Sequence, residues 1–162
     1  MKKPRVLMAD DHSLILAGLR KLVDVECEVV GTVEDGRSLV EAAQKLQPDL
    51  ILLDISMPLL NGLEAARQLR VLEPESKLIF LTMHASPTYA TEAFQAGASG
   101  YLLKRSAASE LSLAIRSVLH GQHYLTPLIT KDVLDSVLNP STGERGTPVS
   151  YPAPAGSVAA CR

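Results

Sequence analysis

Short apolar runs alternate along the chain with longer segments whose apolar positions recur every three or four residues. Arg5 to Ala9 (RVLMA) is the first such run, and it stops at Asp10-Asp11-His12. Leu14, Ile15, Gly18, Leu19, Leu22 and Val23 then recur at helical spacing, with Ser13 placed to cap that helix. Glu28 to Val33 reads as a second strand, and Arg37 to Leu46 as a helix stopped by Pro48. Leu50 to Leu53 is continuously apolar up to Asp54, the pattern of a parallel strand buried on both faces. After the loop Met57-Pro58-Leu59-Leu60-Asn61-Gly62, a helix runs from Leu63 to Leu72, closed by Pro74. Lys77 to Thr82 is a fourth strand, and Thr88 to Ala96 a helix with Gly97 as its stop. Gly100 to Leu103 is a fifth strand ending at Lys104, followed by a helix from Ala107 to Leu119.

Five βα units in strict alternation predict an α/β fold: a doubly wound, five-stranded parallel sheet, helices on both faces, right-handed crossovers. Thr126 to Leu138 reads as one more amphipathic helix, with Thr126 as N-cap and Pro127 at its first position. Beyond Asn139 the periodicity stops, and a Pro-, Gly-, Ser- and Ala-rich stretch reads as a tail. The expected organisation is a domain over 1–122, a linker helix over 123–138 and a tail over 139–162.

Composition narrows the function classes. Lys+Arg 16 against Asp+Glu 18 leaves a net charge of −2, which excludes nucleic-acid binding by bulk charge. No apolar run approaches the roughly 18 residues of a membrane span, and the start MKKPRVLMADD reaches acids too soon for a signal peptide. Cys27 and Cys161 are the only cysteines, too few for a disulfide framework or thiolate metal site within one chain. A cytoplasmic protein with an aliphatic core is the expectation, aromatics being 4% with no Trp.

In an open parallel sheet, ligands bind outside the carboxyl ends of the strands. Those ends carry Asp10-Asp11, Asp54, Thr82 and Lys104 on strands one, three, four and five. Taken singly, each has an ordinary reading as a cap, turn or surface residue. Taken together they place three carboxylates, a hydroxyl and an ammonium in one crevice. Each carboxylate pair at about 4 Å repels by roughly 4 kcal/mol at an effective dielectric near 20. A hard divalent cation relieves this, and an oxygen-only set suits Mg²⁺. Asp11 and Asp54 are the expected direct ligands, the Ser56 backbone carbonyl a third, and Asp10 the holder of a metal-bound water. A carboxylate beside Mg²⁺ is a competent nucleophile toward phosphorus, with Lys104 and Thr82 set to offset charge on the phosphoryl oxygens.

The stretches VLMADDH, DLILLDISMPLLNG, IFLT and GASGYLLK, in this order and spacing, resemble a response-regulator receiver domain over about residues 4–125. DDH, SMPLLNG, GYLLK and HGQHYLTP are most similar to the NarL/FixJ (LuxR-type) subfamily. The resemblance implies a flavodoxin-like (CheY-like) fold and phosphorylation of Asp54 by a sensor histidine kinase with Mg²⁺, beside the acidic pair Asp10 and Asp11. It also implies a switch built from Thr82 and Tyr101 with Lys104, and pairing of receivers as a homodimer or heterodimer. It implies no enzyme turning over a small-molecule substrate. His12 and His84 are assigned supporting roles beside the acids, and His120 and His123 solvated ones. The surface of Tyr89, Phe94, Leu111 and Ile115 reads as dimer contact or core.

Two other function classes compete. A haloacid-dehalogenase-type phosphohydrolase also uses a strand-end Asp and Mg²⁺, but needs a second acid two residues on, where this chain has Ser56. A purely structural dimerisation module has no use for converged acids. Members of the subfamily continue into a helix-turn-helix domain, whereas here the match is lost after Leu138. Back-translated and read one base later, Val149 to Cys161 permits Ser-Leu-Thr-Pro-Arg-Gln-Arg-Glu-Val-Leu-Gln-Leu, which resembles the opening of that domain. The expectation is a frameshift near Pro148, a transcriptional regulator without its output domain, and no specific DNA binding by this chain.

Overall fold

The apolar runs at Arg5–Ala9, Leu50–Leu53, Lys77–Thr82 and Gly100–Leu103 become strands because each buries two faces at once. A computed structural model describes residues 2–139. Its strands are β1 (Arg5–Ala9), β2 (Glu28–Val33), β3 (Leu50–Leu53), β4 (Lys77–Thr82), β5 (Gly100–Leu103) and β6 (Tyr124–Leu125). All pair in parallel, in the order β2-β1-β3-β4-β5-β6. The helices are α1 (Ser13–Asp24), α2 (Gly36–Leu46), α3 (Gly62–Leu72), α4 (Pro87–Gln95), α5 (Ala107–Leu119) and α6 (Pro127–Leu138). Among the described residues, no helix is long and apolar enough to cross a membrane.

Successive strand residues point to opposite faces, and the two faces carry separate cores. Leu7, Ile51, Leu53, Phe80 and Tyr101 meet α2, α3 and α4 on one side. Val6, Met8, Leu50, Leu52, Ile79, Leu81 and Leu102 meet α1 and α5 on the other. Tyr89, Leu111 and Ile115 are buried, which makes them core, while Phe94 is half-buried and lies edge-on to the exposed His123. Cys27 is buried too, and burial is the first cause pushing its thiol up to about 11.

Three differences from the sequence expectation matter. The sheet has a sixth strand, because β6 pairs with β5 in register Tyr101↔Leu125. The segment expected as a linker over 123–138 is therefore packed on the sheet, with Ile129 of α6 buried in the same core as Tyr101. The cap of α1 is His12 and not Ser13: the Asp10 carboxylate takes the His12 N–H, and the His12 carbonyl accepts from Leu16. Asp35, Asn61 and Ser86 cap α2, α3 and α4 through their side-chain oxygens. The tail and frameshift readings lie outside the described residues.

Candidate functional site

The chain leaves β1 toward β2 on one side and is joined by β3 on the other. This is the point where an open parallel sheet leaves a crevice at its carboxyl edge. Ala9 is paired with Leu53, so the next residues, Asp10 and Asp54, stand side by side at the crevice floor. Both are almost fully buried, 2% and 3% exposed. Lys104, directly after β5, reaches across from two strands away. Its Nζ lies 2.6 Å from Asp10 Oδ2 and 2.7 Å from Asp54 Oδ2, with the side chain 5% exposed. Burial alone would lower the ammonium's pKa, but the hydrogen bonds and charges of Asp10 and Asp54 outweigh it and raise the value above the usual lysine range.

The remaining carboxylate oxygens are also engaged. Asp54 Oδ1 accepts from the Ile55 N–H at 2.6 Å. Asp10 Oδ1 accepts from the His12 N–H at 2.9 Å and lies 3.2 Å from His12 Nδ1, which is equally close to Asp11 Oδ1. Asp11 is exposed at the crevice mouth. Ligand atoms of Asp10, Asp11, His12 and Asp54 all fall within 4.8 Å of one another. Three carboxylates face one ammonium there, a surplus of negative charge on hard oxygen donors, and this donor set fits Mg²⁺. His12 belongs to the cluster by position, and its signal in the sequence is its place directly after the acidic pair.

Thr82 is fully buried at the end of β4, and its Oγ1 accepts from the His84 N–H at 3.3 Å. Tyr101 is fully buried on β5, and its hydroxyl donates to the His84 carbonyl at 2.6 Å. Burial first, then the Asp54 charge, push that phenol far above its ordinary range. His84 also meets Ser56 Oγ through Nε2 at 3.0 Å and lies against the Tyr89 ring at 4.9 Å. His84 thus joins the loop after Asp54, the strand-end threonine, the β5 aromatic and α4. The sequence assigned it only a supporting place near the crevice; its signal is its position two residues past a strand-end hydroxyl. Glycines permit the close packing below: a Cβ on Gly62 would stand 1.9 Å from the Asp54 carbonyl oxygen, and one on Gly36 1.9 Å from that of Leu60. His120 is exposed, its Nδ1 directed at the Arg116 carbonyl, and neither it nor His123 approaches the site.

Lys104, for which a surface position was one reading, is the buried partner of two carboxylates. Lys104→Ala is therefore expected to lower stability at neutral pH by about 2–4 kcal/mol, since removing one member of a buried ion pair strands the others. Urea denaturation at neutral pH checks this, and equal midpoints for variant and wild type would refute it.

Comparison with known proteins agrees with the geometry. The family model described as response regulator receiver domain matches residues 6–116. The transcriptional regulatory protein DegU of Brevibacillus brevis is 39% identical over 134 residues, which cover 82% of this chain and 57% of DegU. Little more than half the length of that relative is thus spanned. A LuxR-family two-component response regulator from Aurantimonas sp. SI85-9A1 superimposes with a TM-score of 0.81 at 29% identity, covering 85% of this chain and 100% of that one. The isolated receiver of RcsB from Salmonella enterica serovar Typhimurium, solved with the phosphomimetic BeF3-, gives 0.74 at 26% identity, covering 80% and 98%.

Proposed function

The chain belongs to the response regulator receiver domain family of two-component systems, and from that premise we propose that Asp54 accepts a phosphoryl group from a sensor histidine kinase. The observation that carries the reading is the setting of Asp54: buried at a strand end, one oxygen on the Ile55 N–H, the other on Lys104 beside Asp10. In the transfer, an Asp54 oxygen forms a bond to phosphorus. The phosphorus–nitrogen bond of the donor's phosphohistidine breaks, and its electron pair returns to the imidazole, which takes up a proton. The product is a mixed carboxylic–phosphoric anhydride on Asp54.

Asp11, Asp54 and the Ser56 carbonyl would hold Mg²⁺ directly, with Asp10 through a water. When bound, Mg²⁺ supplies positive charge against the transferring phosphoryl oxygens. Lys104 exchanges a carboxylate oxygen for a phosphoryl oxygen, and the Thr82 hydroxyl, whose oxygen accepts from the His84 N–H, turns to donate to another. Because Tyr101 is tied to the same His84, the change reaches β5 and α4. The protein works as a cytoplasmic signalling module that pairs through its receiver surface, and as part of a transcriptional regulator. Residues 1–122 form the phosphoacceptor unit, with the linker segment 123–138 packed against it. A haloacid-dehalogenase-type hydrolase is not favoured, since Ser56 stands where that chemistry needs an acid. Loading with acetyl phosphate and Mg²⁺, followed by peptide mass mapping, tests the reading. One phosphoryl group on the peptide containing Asp54 is expected; modification elsewhere, or hydrolysis of small phosphate esters with turnover, would overturn it.

A further inference from the structure

The β6–α6 segment is attached to the body by the Glu110 side chain and by the backbone of Ser99 to Tyr101, the Tyr124 N–H donating to the Ser99 carbonyl at 2.9 Å. Both carboxylate oxygens of Glu110, in the first turn of α5, are directed at it: Oε1 accepts from the Tyr124 hydroxyl at 3.0 Å and Oε2 from Thr126 Oγ1 at 3.3 Å. Between them lies Leu125, paired with Tyr101, and the Thr126 N–H donates to the Tyr101 carbonyl at 3.0 Å. Thr126 is fully buried and stands at the N-cap of α6, yet its hydroxyl makes no capping bond. It is turned to Glu110 instead, forgoing a capping bond that ordinarily stabilises a helix start. Beyond it, α6 lies on α4, and Ile129 enters the core that holds Tyr89 and Tyr101.

We infer that β6–α6 is a strap latched by Glu110, whose docking is coupled through Tyr101 to the state of the aspartate crevice. Tyr101 is bonded at both ends, its hydroxyl to the His84 carbonyl and its own carbonyl to Thr126. The strap also rests on α4, whose Tyr89 touches His84. A shift of the His84 loop therefore disturbs both supports of the strap together. By linkage, whatever loosens the strap also changes the equilibrium at the crevice by the same factor. The coupling arm rests on the phosphoacceptor reading; the latch arm does not. Phosphorylation of Asp54 loosens the strap, and loss of the Glu110 carboxylate loosens it without phosphorylation.

Residue-resolved amide exchange on the full chain tests both arms, with and without acetyl phosphate and Mg²⁺, while intact mass counts phosphoryl groups. In Glu110→Ala without the donor, exchange of the 126–137 amides should rise by about tenfold, with Leu7, Leu52 and Ile79 unchanged. Thr126→Val, which removes the buried hydroxyl at nearly constant shape, should give a smaller rise in the same amides. In the wild type, loading should raise strap exchange in step with the mass gain; in Glu110→Ala, loading should add little further. Wild-type rates in both variants would overturn the latch. A loaded wild type with unchanged strap exchange would overturn the coupling and leave the phosphoacceptor reading standing. Absence of any loading would overturn that reading and the coupling with it, with the latch still decided by the variants.

Discussion

Asp54→Asn, incubated with acetyl phosphate and Mg²⁺, is expected to carry no acid-labile phosphate, a fall of at least about a hundredfold against wild type. The substitution keeps the volume of the side chain and an oxygen able to accept from the Ile55 N–H. It removes the anion, and a neutral amide does not displace a leaving group from phosphorus at useful rates. Lys104 loses one of its two carboxylate partners but keeps Asp10 at 2.6 Å, so the fold should survive the change. That separates chemistry from stability: circular dichroism should show a native chain that does not load. Equal incorporation in the variant would remove Asp54 from the mechanism. Asp11→Ala should instead slow loading and raise the Mg²⁺ concentration it requires, because Asp11 contributes an exposed charge at the mouth and not the reacting atom.

Gly62→Ala should be among the most damaging single-methyl additions in the chain. Its N–H donates to the Ile55 carbonyl at 2.7 Å, drawing the start of α3 against the strand end that carries Asp54. A Cβ there would stand 1.9 Å from the Asp54 carbonyl oxygen and 2.9 Å from the Ile55 Cα, backbone atoms that no rotamer change can move aside. The start of α3 or the Asp54 loop must shift, at a cost of about 3 kcal/mol or more, and loading should fall with it. Gly18→Ala is the matched control. It sits within α1 with nothing within 4 Å of the added Cβ, so the helix should gain up to about 1 kcal/mol. Urea midpoints that move the same way in both variants would contradict this account of the loop.

Much of this was legible in the sequence because the strands are continuous aliphatic runs and the chemistry falls at their ends. Asp10, Asp11, Asp54 and Lys104, which the structure brings together, were each legible as residues at the end of a strand. β6 was not legible, because two residues, Tyr124 and Leu125, carry no periodicity; their place depends on the Tyr101 backbone and on Glu110. The burial of Lys104 was hidden for a similar reason: a lysine after a strand reads as solvated until the fold sets two acids around its ammonium. His84 looked incidental because its contacts come from four separate places, Ser56, Thr82, Tyr101 and Tyr89, and no local pattern encodes such a convergence. The shift of the α1 cap from Ser13 to His12 follows from a side chain two residues earlier, the carboxylate of Asp10, claiming a backbone N–H.

The central pairing of β1 with β3 has a consequence for the order in which the molecule can be made. Asp10 and Asp54 leave the ribosome together with all the strand residues that bring them side by side, but Lys104 follows Asp54 by 50 positions. At about 5–20 residues per second, translation leaves an interval of roughly 3–10 s in which their ammonium partner does not yet exist. Lys104 is thus the last of the three buried charged groups to be synthesised, and the ion-paired crevice is complete only once β5 has emerged.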